Sequence, residues 1–417
     1  MNSKNECSSR PVSIVVIGTG NRANKYLEFV FNNPDKAKLV GIVELNNIRR
    51  NQVAAKFNLK EEQCYTDYDS FFVHPIVADA ILICTPENKH FEPCMRAIHA
   101  GYHVLLEKPI AQTLEECVKI GEAAKQKGVM VNVCHVLHYH PYFLKLKEIV
   151  TSGKYGEIIS IEHKSCVGID RSTHGFVRGL YRKEEVTNPM LISKSCHDID
   201  FLLWLTGTHC KKLMSFGSLK WFKKGNAPKG SAERCIHCQI ESNCPFSAVN
   251  LYHERHDWIS NFDVPKGKTK EEVIEEQLAS GPYGRCVYHC DNDVVDHQLV
   301  AMEMENEVTI NFTMDIFTRK DRRETHIVMT EAEIFGNERE IHIIPFRNGE
   351  ELVYDFNDIA GTAFHAGSDL NLIAHFIEIV RTKQRDASTS IEKAIESHRI
   401  CFEAERSRTE NKLVLFD

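Results

Sequence analysis

The sequence predicts an α/β domain with a doubly wound parallel sheet, followed by an α+β domain whose sheet is mostly antiparallel. Strand-like apolar runs alternate with helix-like segments over residues 12–133. After residue 158, strand-like runs separated by charged turns dominate, and two helix patterns close the chain. We place the domains at 1–134 and 135–417, with a cysteine-rich insertion at about 217–285 in the second.

The composition is that of a globular protein. The 417 residues suit two or three domains, and 42% hydrophobic with 26% charged residues excludes a largely disordered chain. A net charge of −7 argues against a nucleic-acid binder. No run is long and apolar enough for a membrane span, and no apolar leader precedes Ile14, so we expect a cytoplasmic protein without membrane contact.

The first strand leads directly into a glycine-rich turn. Val12–Ile17 is nearly all β-branched, and Gly18-Thr19-Gly20-Asn21-Arg22-Ala23 follows at once. Gly18 permits a tight turn, Gly20 lets the backbone approach a pyrophosphate, and the next helix offers free N–H groups at its N-terminus. This order predicts a dinucleotide site.

A carboxylate follows the second predicted strand. Lys38–Val43 closes with Glu44, which comes 24 residues after Gly20, near the spacing of an acid that accepts the ribose hydroxyls. A carboxylate there repels a 2′-phosphate and favours NAD. Arg49 and Arg50 follow closely and could reach such a phosphate, so NADP stays open.

Three further strands are predicted at residues 78–85, 104–106 and 129–133, with helices between them. Ligands of a parallel doubly wound sheet bind outside the carboxyl ends of its strands. Two polar segments fall at that edge, Thr85-Pro86-Glu87-Asn88 and Glu107-Lys108-Pro109.

The second domain shows the two-residue period of half-buried strands. Residues 308–314 alternate strictly, with Val308, Ile310, Phe312 and Met314 on one face. Further strands are predicted at 158–161, 326–329, 341–345 and 352–356, and helices from Ser368 and after a capping box at 389–392.

The motifs, taken in order, resemble the glucose–fructose oxidoreductase, inositol dehydrogenase and rhizopine-catabolism (Gfo/Idh/MocA) family. They are GTGNRA near the start, CTPENKH at 84–90, EKP at 107–109, HYHP at 138–141 and HDID at 197–200. The resemblance implies a Rossmann domain and a second domain with a large open antiparallel sheet. It also implies NAD(P)-dependent chemistry on a sugar, polyol or related small molecule, in homodimers or homotetramers.

The candidate cofactor residues come from the glycine turn and the strand ends. They are Gly18, Gly20, Asn21, Arg22, Glu44, Thr85, Pro86, Asn88, His90 and Glu107.

The resemblance assigns acid/base chemistry to Lys108, although most lysines are merely exposed on the surface. A lysine beside a cationic nicotinamide can take a hydroxyl proton when like charge and burial lower its pKa. His197 is the second candidate, as a proton donor or acceptor or as a substrate ligand. Many relatives carry an aspartate four residues earlier, where this chain has Ser193, so Lys194 becomes a third candidate.

The candidate substrate ligands are Asp198, His138, Asp296, His297 and His365. Relatives often have arginine at the place of His138. Asp198 is equally well explained as a charge at a helix N-terminus, and Asp296 with His297 as a solvated loop. The segment containing His365 is also typical of a loop before a helix.

Four thiols in or near the insertion predict a structural zinc site, formed by Cys235, Cys238, Cys244 and Cys286. An iron–sulfur centre and unligated thiols are the alternatives, because the first C-x-x-C has no clear second pair.

Three functions remain open at this stage. The leading one is an NAD(P)-dependent oxidoreductase that moves a hydride between nicotinamide and a sugar or polyol carbinol. The second is an NAD-dependent enzyme that cleaves glycosides through transient oxidation and elimination. The third is a non-catalytic regulator that binds NAD or a sugar.

Overall fold

The computed structural model describes residues 10–254, 262–347, 349–360, 367–384 and 388–416. The chain divides into two compact units, one of 1–144 with 361–399 and one of 145–360 with 400–417. The division predicted at 134/135 did not foresee that a C-terminal segment returns to the first unit.

The first unit contains a six-stranded parallel sheet in the order β3-β2-β1-β4-β5-β6. Its strands are β1 Val12–Ile17, β2 Ala37–Val43, β3 Cys64–Tyr65, β4 Ala80–Ile83, β5 His103–Leu106 and β6 Val131–Val133. The helices between them are α1 Asn21–Asn32, α2 Asn47–Phe57, α3 Tyr68–Val73, α4 Phe91–His99 and α5 Leu114–Lys127. The predicted Rossmann arrangement is confirmed, and the near-continuous burial of β1 fits a strand covered on both faces.

The second unit contains a nine-stranded sheet in the order β14-β13-β12-β11-β7-β10-β9-β8-β15. After α6 Pro141–Thr151, its elements are β7 Ile158–Gly168, α7 Ile169–Ser172, α8 Met190–Thr206, β8 Cys210–Ser218, α9 Ala248–His253, α10 Lys270–Ala279, β9 His297–Met304, β10 Thr309–Thr318, β11 Arg322–Met329, β12 Ala332–Gly336, β13 Glu340–Pro345, β14 Leu352–Asp355 and α11 Asn357–Ala360. The chain closes with α12 Ser368–Thr382, α13 Ile391–Glu410 and β15 Val414–Leu415.

The pairing confirms a mostly antiparallel sheet. Only the central pair β7 and β10 runs parallel among the described strands of this sheet. The side chains of Ile310, Phe312 and Met314 are buried while those of Thr309 and Asn311 are exposed, as the two-residue period predicted.

The insertion lies between β8 and β9 and has a small core of its own. Leu251 and Tyr252 of α9 pack with Ile274 and Leu278 of α10, together with Cys235. This separate core explains why α9 and α10 form outside the sheet.

Candidate functional site

The glycine turn after β1 depends on Gly18. This residue has φ of +85°, and a Cβ on it would lie 2.8 Å from the carbonyl oxygen of Cys84 and 2.9 Å from the amide nitrogen of Thr85. Its N–H donates to the carbonyl of Val43 at 2.8 Å. Only glycine fits both the conformation and the close approach, so Gly18 brings the ends of β1, β2 and β4 together.

Gly20 leaves space at the start of α1. It is the N-cap residue, and no side chain caps the helix there. A Cβ on Gly20 would meet only the Nη1 atom of Arg49, at 3.7 Å. The start of α1 therefore has room for an anion, and the Arg49 guanidinium lies beside Gly20.

Glu44 lies at the end of β2 and is 8% exposed. Its Oε2 accepts from the N–H and hydroxyl of Thr19, at 2.6 and 2.9 Å, and its Oε1 accepts from the N–H of Asn46 at 2.8 Å. A carboxylate has about four acceptor positions, so one remains for a ligand. Arg50 donates to the backbone carbonyl of Glu44 at 2.7 Å, which fixes the turn after β2.

Glu107 directly follows β5, and two side chains of α1 donate hydrogen bonds to it. Its Oε1 accepts from the Nε of Arg22 at 2.8 Å and from the hydroxyl of Tyr26 at 2.5 Å, while Oε2 accepts from the N–H of Lys108 at 3.3 Å. Burial raises the pKa of this carboxyl, but Arg22 and Tyr26 outweigh burial and hold the pKa below its ordinary value. Glu107 is therefore a buried carboxylate.

Arg22 makes a second ion pair with a residue far along the chain. Its Nη2 lies 2.7 Å from Oδ1 of Asp369, near the start of α12. Arg22 thus connects α1, β5 and α12 within the first unit. Its guanidinium contacts the carboxylates of Glu107 and Asp369 and the phenol of Tyr26, which makes it a positioning group for Glu107.

Lys108 follows directly and is half-buried, with a cis peptide bond to Pro109. The segment after β4 lies next to it, because β4 and β5 pair in parallel register. In that segment the Thr85 hydroxyl donates to the carbonyl of Lys89 at 3.0 Å, and Pro86 precedes the turn that contains Asn88. Five predicted cofactor positions and the predicted catalytic lysine therefore share the carboxyl edge of one sheet. They are Gly18, Glu44, Thr85, Pro86, Glu107 and Lys108.

Helix α8 of the second unit buries a row of polar side chains. Ser193, Lys194, His197 and Asp198 are all less than 9% exposed. Because polar groups are costly to bury without partners, each needs a physical account.

Asp198 is the centre of a buried ion cluster. Its Oδ1 accepts from the Nε of Arg323 and lies 3.4 Å from Nε2 of His163. Burial raises the pKa of Asp198, but the Arg323 guanidinium holds it well below the ordinary value. Arg323 also pairs with Glu338 at 3.1 Å. Through these contacts Asp198 joins α8 to β7 and β11, which is a structural role. It is separate from the role in substrate binding that the sequence predicted.

His197 is oriented by the same arginine. The Nη2 of Arg323 donates to Nε2 of His197 at 2.8 Å, so this nitrogen acts as the acceptor and the ring proton lies on Nδ1. Sequence reasoning missed Arg323, because a strand residue 126 positions away gives no local signal.

Lys194 is 7% exposed and forms no ion pair within the described residues. Burial and the nearby Arg171 guanidinium lower the pKa of Lys194 from 10.5 to about 7. Asp321 opposes this shift, but Arg171 at 2.7 Å and the N–H of Gly168 at 2.6 Å already occupy that carboxylate. Lys194 is therefore a buried amine that exchanges a proton near neutrality.

The other predicted substrate ligands have different surroundings. Asp296 is 1% exposed and accepts from the N–H groups of Lys220 and Trp221, at 2.8 and 2.6 Å, so it holds the chain after β8. His297 pairs with Asp296 at 2.7 Å at the start of β9. Neither is the solvated loop that the sequence also allowed. His138 is buried in the turn Val136–Tyr139, and His365 lies outside the described residues.

The four thiols predicted to bind zinc are not arranged as a ligand set. In the described part of the chain, no group of three histidine, cysteine or acidic side chains is placed to hold a metal ion. Cys235 Sγ lies 3.8 Å from Nη2 of the buried Arg178, and Cys238 Sγ donates to the carbonyl of Gly230 at 3.9 Å. Burial raises the pKa of Cys244 and, to about 11, that of Cys286. Zn²⁺ needs converging thiolates, and no such set is placed among the described residues.

None of the helices in the described residues combines the length and apolar composition of a membrane span.

Comparison with known proteins finds similarity to oxidoreductases. Residues 12–135 match the GFO_IDH_MocA model, described as an oxidoreductase family with an NAD-binding Rossmann fold. YteT of Bacillus subtilis is 20% identical over 285 residues, covering 66% of this chain and 64% of that protein. The inositol 2-dehydrogenase/D-chiro-inositol 3-dehydrogenase of Halalkalibacterium halodurans is 29% identical over 196 residues, covering 46% and 51%. The chain thus spans less than two thirds of both relatives.

Solved structures agree with the whole fold. An Agrobacterium radiobacter oxidoreductase in complex with NAD+, L-tartaric acid and magnesium has a TM-score of 0.71 at 12% identity, covering 97% of this chain and 98% of that one. An inositol dehydrogenase homologue from Azotobacter vinelandii, complexed with NADH and myo-inositol, has a TM-score of 0.69 at 14% identity, covering 98% of each. At these identities the likeness supports the fold alone.

Proposed function

We propose that this chain, whose residues 12–135 match the GFO_IDH_MocA model, is an NAD(P)-dependent dehydrogenase of a sugar, polyol or sugar derivative. The observation that carries the proposal is the shared carboxyl edge of the parallel sheet. There the glycine turn, the Glu44 carboxylate and the Glu107-Lys108 pair follow β1, β2 and β5.

The residues at this edge fit a dinucleotide. Gly18 and Gly20 would admit the diphosphate to the start of α1, and Glu44 would accept the ribose hydroxyls through its remaining acceptor position. This arrangement favours NAD, although Arg49 beside Gly20 gives NADP a possible partner. When bound, the nicotinamide supplies the hydride acceptor or donor.

Lys108 is the proposed acid/base group. It would take the proton of the substrate hydroxyl as the carbinol is oxidised, and return it in the reverse direction. Glu107 holds its backbone N–H at 3.3 Å, and Arg22 and Tyr26 hold Glu107 in turn. The residue is thus presented from a rigid strand end.

His197 and Lys194 are the proposed substrate groups of the second unit. Arg323 fixes the His197 ring so that Nδ1–H is its donor. Lys194 replaces the aspartate that relatives often carry four residues before the histidine. Its pKa of about 7 lets it donate or accept a proton at neutral pH, which Ser193 cannot do.

The same substitution favours a second candidate, NAD-dependent glycoside cleavage. Oxidation of a sugar carbinol acidifies the neighbouring C–H, and a base can then remove that proton as the aglycone leaves. Water addition and re-reduction would complete a net hydrolysis with the coenzyme regenerated. An amine that is half-deprotonated near neutrality suits this base role.

The test is turnover on free sugars and polyols against turnover on matched aryl glycosides, both with NAD+. Stoichiometric NADH from a free polyol supports the dehydrogenase. Release of the aryl alcohol without net NADH supports cleavage. Tight NAD binding without either product across the panel would favour the regulator and contradict both enzymatic proposals.

We also propose a homodimer or homotetramer, as the resemblance implies. Apolar side chains on the strands of the nine-stranded sheet support this, with Ile159, Phe216 and Val353 more than half exposed. A monomer at micromolar concentration in light scattering would contradict it. Zinc is not included in the proposed function, because no three ligand side chains among the described residues are placed to hold a metal ion.

A further inference from the structure

The peptide group between Pro109 and Ile110, one residue beyond the predicted catalytic lysine, is hydrogen-bonded to two buried histidines of the first unit. One histidine contacts its carbonyl and the other its N–H. The carbonyl of Pro109 lies 2.7 Å from Nδ1 of His90. The N–H of the next residue, Ile110, donates to Nε2 of His398 at 3.0 Å. Carbonyl and N–H belong to one peptide, so two side chains from distant parts of the chain grip the same planar group.

His90 faces only acceptors. Its second nitrogen, Nε2, lies 2.9 Å from the carbonyl oxygen of Thr85. A carbonyl oxygen cannot donate, so both ring nitrogens must carry protons for both contacts to be hydrogen bonds. Only the imidazolium form satisfies this requirement. His90 is 1% exposed, so water does not replace either partner.

His398 has a backbone N–H at one ring nitrogen and, at the other, a carbonyl oxygen with the Ser397 hydroxyl 3.4 Å away. Its Nδ1 lies 2.7 Å from the carbonyl oxygen of Ala394, while Nε2 accepts from the N–H of Ile110. The neutral ring with its proton on Nδ1 fits this pair of contacts. An imidazolium would place two N–H groups against each other at Nε2.

We propose that His90 as imidazolium and His398 as neutral imidazole form a clamp on the 109–110 peptide that positions Lys108. The positive end of α4 opposes a cation at its N-cap, where His90 stands. Two short charge-assisted hydrogen bonds to carbonyls act against that cost. The clamp also connects Lys108 to Thr85, since His90 bridges the segments after β4 and β5.

The expected effect on catalysis rests on the proposed role of Lys108. The expected protonation states of His90 and His398 do not depend on that role. A misplacement of about 1 Å in an acid/base group can cost about 100-fold in rate. Loss of either histidine should therefore lower kcat.

The first test is NMR of the full protein with ¹⁵N-labelled histidine, at neutral pH and without substrate. Signals are assigned by their loss in the His90→Asn and His398→Gln variants. We expect two protonated nitrogens for His90 and a single Nδ1–H tautomer for His398. A bare nitrogen in His90, or a charged His398, would overturn the proposal even if the enzyme had no activity.

The second test uses variants that keep or remove one contact. Asparagine at 90 places its amide near the old Nδ1 and retains the donor to Pro109, and glutamine at 398 retains an acceptor near the old Nε2. We expect His90→Leu and His398→Leu to lose ~10- to 100-fold in kcat, and the amide variants to recover most of it. Unchanged kcat in both folded leucine variants, or equal losses in leucine and amide variants, would refute the positioning role.

Discussion

Replacing Lys194 with methionine should raise the free energy of unfolding of the protein and lower its turnover. The pKa of this amine is lowered from 10.5 to about 7 by burial and by Arg171, so the folded chain holds fewer protons than the unfolded chain between these values. The free energy of unfolding therefore rises as the pH increases through this range. At about 1.4 kcal/mol per pKa unit, the buried lysine costs about 5 kcal/mol at about pH 6 and about 2 kcal/mol at about pH 9.

Lys194→Met removes the charge at similar volume, so the gain in stability should follow this cost. Urea unfolding at both pH values, read by circular dichroism, measures it. We expect a gain of about 2–5 kcal/mol at the lower pH and a clearly smaller gain at the higher. Lys229→Met is the control, because Lys229 is exposed and its loss should change stability by less than about 0.5 kcal/mol.

A Lys194→Met protein that is no more stable at low pH, or that gains equally at both values, would refute the reasoning. Turnover of the same variant should fall, because methionine carries no exchangeable proton. Higher stability together with lower turnover is the pattern expected when a group that is costly to bury is kept for function.

Three further changes have defined outcomes. Gly18→Ala should abolish NAD binding in calorimetry, since its Cβ would clash with the Cys84 carbonyl, whereas Gly101→Ala, with similar φ but open space, should bind normally. Retained affinity in Gly18→Ala would contradict the turn geometry. Arg323→Met should cost about 3–5 kcal/mol in denaturant unfolding, because it leaves Asp198 as an unpaired buried charge; a loss under about 1 kcal/mol would disprove that cluster's importance. Glu107→Gln should lower kcat and leave NAD affinity within a few-fold, because an amide holds Arg22 less well than a carboxylate; wild-type kcat would exclude its positioning role.

Periodic elements were predictable from the sequence. The strand at 12–17 and the alternating strand within β10 have strong local patterns, and both are present. β8 and β12 were not named as strands. β9 follows a polar run that resembled a loop, yet Asp296 is buried there because two backbone N–H groups bind its carboxylate.

Long-range partners were not predictable. Asp369 lies near the start of α12, and its ion pair with Arg22, 347 positions away, leaves no mark in the local sequence. The same holds for Arg323, which fixes both Asp198 and His197. The zinc prediction rested on cysteine spacing alone, and in the described chain Cys235 lies near Arg178 and a backbone carbonyl.

The central claim is that Lys108 moves the substrate proton while the glycine turn holds the coenzyme. The most direct measurement compares NAD binding and single-turnover NADH formation in the wild type and in Lys108→Met, with a polyol that the wild type oxidises. We predict unchanged NAD affinity and a rate lowered by at least about 100-fold, the usual contribution of a general base. Full single-turnover activity in Lys108→Met, or loss of NAD binding in that variant, would contradict the account.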